Sequence, residues 1–191
     1  MKVLGITGSP RRGGNTGLLL AEVMKGAASR GAEVKIIVLN DLDITPCQHC
    51  DACLKKGVCR IKDDMQMVYR QLEQADRVVL ASPIHFMAVT AQMKAMIDRC
   101  QALWARKYVL KRPPLGSEPG EKKGLFVSVG GRKVANLFEP ALVTVKALFR
   151  CLDIAYAGDL LFHNVDEKGA IKEHPDALKL AYLAGQRLVE D

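Results

Sequence analysis

Short apolar runs alternate with longer stretches in which apolar residues recur every three or four positions, and the alternation repeats along the whole chain. The runs Lys2–Thr7, Glu33–Leu39, Arg77–Ala81, Gly124–Val129 and Ile154–Phe162 predict strands. The periodic stretches Thr16–Arg30, Asp63–Ala75, Thr90–Ala105, Leu137–Leu152 and His174–Glu190 predict helices. In the first helix the apolar spacing runs through Leu19, Val23 and Ala27, and Gly31 stands where helices commonly stop on a left-handed residue. Val78–Ala81 is apolar without alternation, as in a strand covered on both faces. Strand and helix in turn predict an α/β fold: a doubly wound five-stranded parallel sheet with helices on both faces. It forms a single domain over residues 1–191, with a cysteine-rich loop at 45–62.

Ligands of such sheets bind beyond the carboxyl ends of the strands. Three loops leave those ends: Gly8–Asn15, Ser82–Met87 and Ser128–Arg132. The first, Gly-Ser-Pro-Arg-Arg-Gly-Gly-Asn-Thr over residues 8–16, lacks the Lys-Ser/Thr ending of a P-loop and the spacing of the dinucleotide motif. It feeds a helix N-terminus, where free amides and the helix dipole attract an anion and Arg11 can pair with it bidentately. A monophosphate needs neither magnesium nor lysine, so FMN suits this loop better than ATP. In the second loop Pro83 fixes a turn, and the apolar and aromatic residues after it suit a flat ring. In the third, Gly130 and Gly131 leave backbone amides uncovered by side chains.

Cys47, Cys50, Cys53 and Cys59 are spaced C-x2-C-x2-C-x5-C. Ferredoxins hold cubane clusters with a closely related run, whereas zinc sites more often use two pairs separated by a dozen or more residues. The spacing favours an iron–sulfur cluster and leaves zinc, bare thiols and disulfides open. Gly57 is expected to make the loop pliable. His49, between two cysteines, reads as a solvated spacer, and Asp63 and Asp64 read as caps of the helix that follows. Cys100 and Cys151 read as buried inert thiols, and Trp104 as interface or core.

Composition narrows the function classes. Apolar residues make up 49% of 191, enough for a substantial core, yet no apolar run approaches the length of a membrane helix. The first residues enter a strand without a signal-peptide layout, which predicts a cytoplasmic protein whose thiols stay reduced. The net charge of +7 gathers around Arg106, Lys107, Lys111, Arg112, Lys122, Lys123, Arg132 and Lys133. No nucleic-acid-binding motif accompanies it, so the basic excess points to anionic ligands or an acidic redox partner. There is no Ser-His-Asp pattern and no H-E-x-x-H; flavin chemistry needs neither.

The chain resembles the iron-sulfur flavoproteins, a branch of the flavodoxin-like NAD(P)H-dependent FMN reductase superfamily. The resemblance runs from the first strand to the last helix. It rests on G-S-P-R-x-G-G-N-T, the compact cysteine run, Asp63-Asp64-Met65, and Ser-Pro-Ile followed by Thr-Ala-Gln-Met-Lys-Ala-Met-Ile-Asp-Arg. It implies that Ser9, Arg11, Asn15 and Thr16 hold the phosphate and ribityl end of FMN. It further implies that Pro83, Ile84, His85 and Phe86 flank the isoalloxazine, with Gly130 and Gly131 closing over its far side. Cys47, Cys50, Cys53 and Cys59 would ligate one [4Fe-4S] cluster, with the chain a homodimer or homotetramer. His85 and Met87 replace the tyrosine and glycine usual in the family, and Met87 narrows access for a nicotinamide. The expected function is therefore an oxidoreductase whose cluster, loaded by a ferredoxin-like donor, passes electrons to FMN and on to an unknown acceptor. The alternatives are an NAD(P)H-dependent FMN or quinone reductase without a cluster, and a flavodoxin-like binding module without turnover.

Overall fold

Five strands form one parallel sheet: β1 (Lys2–Thr7), β2 (Glu33–Val38), β3 (Arg77–Ala81), β4 (Lys122–Val129) and β5 (Ile154–Phe162), in the order β2-β1-β3-β4-β5. The computed structural model describes residues 1–117 and 119–190. The strand order is that of the flavodoxin-like fold, whose ligand crevice opens where the order reverses beside β1 and β3. All five residues of the central strand β3 are buried, which is why its sequence shows no alternation.

One face of the sheet is covered by α1 (Asn15–Ser29) and α7 (Ala177–Glu190), through Leu19, Val23, Ala181 and Leu188. These two helices meet backbone to backbone: a Cβ on Gly26 or Gly185 would collide with the other helix's main chain. The other face carries α3 (Met65–Gln74), α4 (Ala91–Arg99), α5 (Gln101–Trp104) and α6 (Glu139–Cys151), with Met65, Met96, Leu103 and Val145 in its core. A further one-turn helix, α2 (Ala52–Lys56), lies inside the cysteine loop.

The helix expected over residues 90–105 is divided. At its midpoint Cys100 N donates to Ile97 O and Leu103 N to Cys100 O, a tighter register that ends α4 and starts α5. A π-type turn over Ala105–Val109 follows and sends Arg106 back beneath the cysteine loop. Trp104 is 38% exposed and packs on Tyr108 at 5.5 Å between ring centroids, so it belongs to the surface. The expected basic face is thinner than its charge count. Arg106 pairs with Glu73 at 2.6 Å, Lys107 with Asp153 at 2.6 Å, and Lys122 is buried with Nζ donating to the carbonyls of Glu73 and Ala75. Among the described residues no helix is long and apolar enough to cross a membrane.

Candidate functional site: a strand-end cleft and a ring of thiols

The loops at the carboxyl ends of the strands are held by continuations of the sheet ladder. Gly8 N donates to Ala81 O, Ser82 N to Val127 O, Ile84 N to Val129 O, and Gly130 N to Phe162 O. Buried hydroxyls then tie loop to loop. Ser128 Oγ donates to Ser82 O at 2.7 Å, Thr90 N donates to Ser82 Oγ at 3.0 Å, and Thr90 Oγ1 donates to Gly8 O at 2.6 Å. The same Thr90 hydroxyl accepts from Met93 N and so caps α4. Gly8 has no room for a side chain here, since a Cβ would lie 2.7 Å from both Thr90 and Met93.

Between these loops lies a cleft of about 190 Å³. Ser9, Arg11, Asn15, Thr16, Pro83, Ile84, His85 and Gly131 all line it, so the structure brings together eight of the ten residues expected around FMN. Thr16 Oγ1 is buried there and has no hydrogen-bond partner. A buried hydroxyl left unmatched is costly, and this one stands at the N-terminus of α1, where the first backbone amides have no partner within the helix. Arg11 is exposed beside it and spends one donor on Asp166 O at 3.1 Å, leaving the rest of its fork free for an anion. These groups fit the phosphate end of FMN.

Asn15 has another task. Its Nδ2 donates to Glu167 O at 2.8 Å, and its Oδ1 accepts from Gly169 N at 2.8 Å and from Ile171 N at 3.4 Å. The side chain thus ties the loop after β5 to the start of α1. That loop adds Val165, Asp166 and Lys168 to the lining, none of which the sequence singles out. The other two expected residues lie elsewhere. Phe86 is fully exposed at the tip of a two-residue turn closed by paired hydrogen bonds between His85 and Ala88, with Phe86 at φ 49° and Met87 at φ 63°. Gly130 faces Leu137 of the following segment, where a Cβ would collide; it serves packing and does not border the cleft.

Cys47, Cys50, Cys53 and Cys59 line a second cavity, together with Arg60, Ile61, Arg99 and Gln101. All four are free thiols. Burial pushes the Cys53 thiol up, and the neighbouring thiols of Cys59, Cys47 and Cys50 push the same way. Among the described residues no three His, Cys, Asp or Glu side chains converge as they would on a single metal ion, so the thiols share a cavity without closing on one point. A donor set of four thiols on a compact run suits an iron–sulfur cluster chemically. His49 also borders this cavity, but it is exposed, with a left-handed φ of 49°.

Two arginines hold this loop from beneath. Arg99, the last residue of α4, is buried, with Nη1 donating to Thr45 O at 2.7 Å and to Asp63 Oδ2 at 2.5 Å, and Nη2 donating to Asp63 Oδ1 at 3.0 Å. One guanidinium thus clips the chain just before the first cysteine and just after the last. Asp63 also accepts from the backbone of Thr45 and of Met65, so its capping of α3 is one part of a larger role; Asp64 caps nothing with its side chain and instead accepts from Asp43 N. Burial alone would raise the Asp63 carboxyl, but the bonds from Arg99 and the two amides outweigh it and hold it below the usual carboxylate range. Arg106 Nε donates to Gly57 O at 2.8 Å. Gly57 has φ 68° and a Cβ there would collide with Arg106, so the glycine answers to a close approach and leaves the loop tethered where pliability is expected.

Residues 1–155 match the family of NADPH-dependent FMN reductases. An iron-sulfur flavoprotein of Methanocaldococcus jannaschii is 36% identical over 150 residues, covering 78% of this chain and 71% of the relative. Another, from Archaeoglobus fulgidus, is 42% identical over 132 residues, covering 69% of this chain and 63% of the relative, so the matched stretch spans less than two-thirds of that protein. Among solved structures, an NAD(P)H:quinone oxidoreductase from Methanothermobacter marburgensis superposes with a TM-score of 0.74 at 14% identity, covering 99% of this chain and 96% of that one; at that identity the likeness speaks for the fold. The chain belongs to the family of NADPH-dependent FMN reductases, and within it to the iron-sulfur flavoproteins.

Proposed function

We propose that this chain is a redox flavoprotein that binds FMN in the strand-end cleft and a [4Fe-4S] cluster on Cys47, Cys50, Cys53 and Cys59. The observation that carries the reading is that four thiols border one cavity in a chain whose cleft also offers an unpartnered buried hydroxyl to an anion. The names of the relatives support the same pair of cofactors. The two groups together would supply one-electron exchange on one side and one- or two-electron exchange on the other.

The chain's own residues do the placing. Thr16, Arg11, Ser9 and the first amides of α1 receive the phosphate; Pro83, Ile84 and His85 border the ring, and Gly131 leaves its backbone open to it. A Cβ on Gly131 would press on the Asp166 carboxyl at 3.0 Å, so the wall there stays thin. Cys50 is exposed, and Lys55, Lys56, Arg60 and Lys62 stand exposed around the loop. That rim attracts an acidic, ferredoxin-like donor through a long-range field. Phe86, Trp104 and Tyr108 are exposed apolar groups that a second copy of the chain would cover in a homodimer or homotetramer. The setting is cytoplasmic, where thiols stay reduced.

The test compares electron donors under exclusion of oxygen. Rapid bleaching of the flavin by a reduced acidic ferredoxin, and slow bleaching by NADPH, is the expected result. Fast reduction by NADPH in iron-free protein, with turnover of a quinone, would instead support the NAD(P)H-dependent reductase suggested by the family's name.

A further inference from the structure

Arg99 carries one feature that its anchoring role leaves unexplained. Four hydrogen bonds to Thr45, Ile61 and Asp63 use its two terminal nitrogens, yet Nε is buried and has no partner. An unpaired N–H on a buried cation is costly, and Arg99 is the one cationic side chain among the buried residues that borders the thiol cavity. Asp63 grips the Nη side of the guanidinium, and Arg99 also borders the cavity ringed by thiols. Burial alone would weaken this charge, and the bond to Asp63 is the main contact that sustains it.

We propose that Arg99 tunes and positions the group held by the four cysteines, with Nε–H donating to one of its sulfurs and the guanidinium charge favouring its reduced form. This rests on the cluster reading given above. Reduction adds one electron and no proton, so the reduced group carries one more negative charge on the same four thiolates. A fixed cation beside it stabilises that state, and hydrogen bonds to sulfur act in the same direction. Asp63, paired with the guanidinium, opposes part of this charge. Arg99 and Asp63 therefore pull the reduction potential in opposite directions while acting together in holding the loop.

That opposition separates tuning from mere anchoring. The full chain is reconstituted with ferrous iron and sulfide without oxygen, and the cluster's potential is followed by electron paramagnetic resonance in wild type, Arg99→Lys and Asp63→Asn. Arg99→Lys keeps a charge but loses Nε–H and the fork; the expected result is an equilibrium constant for reduction about tenfold lower, which for one electron is about 59 mV. Asp63→Asn keeps an acceptor oxygen and removes the opposing charge, and the potential is expected to rise. Unchanged potentials in both, or shifts of the same sign, would overturn the proposal. Should Arg99→Lys fail to retain iron, Asp63→Asn decides alone, a rise supporting the proposal and an unchanged value contradicting it. Wild-type protein that takes up no iron and sulfide would refute the cluster reading itself, an outcome distinct from unshifted potentials in loaded protein.

Discussion

The strand-end cleft and the cysteine loop are attached to opposite ends of the same helix, and they are built on different principles. Thr90, the N-cap of α4, fixes the glycine-rich loop through Gly8, and Arg99, its last residue, clips the cysteine loop at Thr45 and Asp63. Nine residue steps separate them, about 14 Å along the axis. The cleft is walled by loops that extend the sheet's own hydrogen bonding, and it encloses about 190 Å³. The thiol cavity encloses about 20 Å³, little more than a water requires, and its loop leaves regular structure except for the single turn of α2. A site made from strand ends exists before its ligand arrives. A site made from a tethered loop reaches its final shape around the group it binds, so metal loading there is expected to contribute to order.

This contrast can be broken in several places. The largest effect is expected from Cys53→Ala: iron and sulfide fall from about four each per chain toward zero, while flavin binding is retained, as quantified by metal, sulfide and absorbance assays. Loss of flavin along with iron would show that the two regions are one cooperative unit. Next comes Asn15→Ala, which frees the loop over residues 165–171 from α1. Three hydrogen bonds are lost, at a cost of about 2 kcal/mol, and the melting temperature is expected to fall by about 6 °C in calorimetry.

Thr16→Val reaches the cleft more lightly. In flavin-free protein the hydroxyl has no partner, so its removal leaves the melting temperature unchanged or raises it. The FMN dissociation constant, measured by fluorescence quenching, rises about tenfold, the worth of about 1.4 kcal/mol. An unaltered constant would mean that the phosphate does not reach this hydroxyl. Acid acts on the other region. Asp63 has its pKa held below the ordinary value of 3.8, so the stability it gives is fully present above that value and is lost as pH falls through the lower folded value. Protection against hydrogen exchange, taken relative to the intrinsic rate at each pH, is therefore expected to fall in residues 45–62 on acidification before it does in β3. The smallest effect belongs to the rim: Lys55→Gln with Lys56→Gln slows reduction by an acidic donor a few-fold at low salt and not at high salt.

The sequence pattern and the structure agree most closely where local periodicity decides. β1, β3 and β5 begin and end on the residues that the apolar runs predict; in the buried β1 and β3 this is because burial writes a strand's limits directly into side-chain type. The cleft was legible in its glycine-rich first loop for a similar reason: the turn and the helix start are neighbours in sequence. What stayed hidden depends on distant partners. Asn15 reads as a phosphate ligand until Gly169, 154 residues away, is seen to occupy it. The Asp63–Arg99 pair spans 36 residues, and from the sequence Asp63 reads as a helix cap alone. One local signal did exist. Met93, Met96 and Arg99 are the buried residues of α4, and a cation at that spacing on an apolar stripe demands a buried anion. Aromatic character at Phe86 suggests a flat ring nearby, whereas the backbone turn carries the side chain outward.

The measurement that bears most directly on the account is the ratio of flavin, iron and acid-labile sulfide in one sample purified without oxygen. One FMN with about four irons and four sulfides per chain is the predicted result, with flavin absorption lying over a broad cluster shoulder. One FMN with no iron, persisting after reconstitution with ferrous iron and sulfide, would contradict it and leave the four cysteines without the role assigned to them.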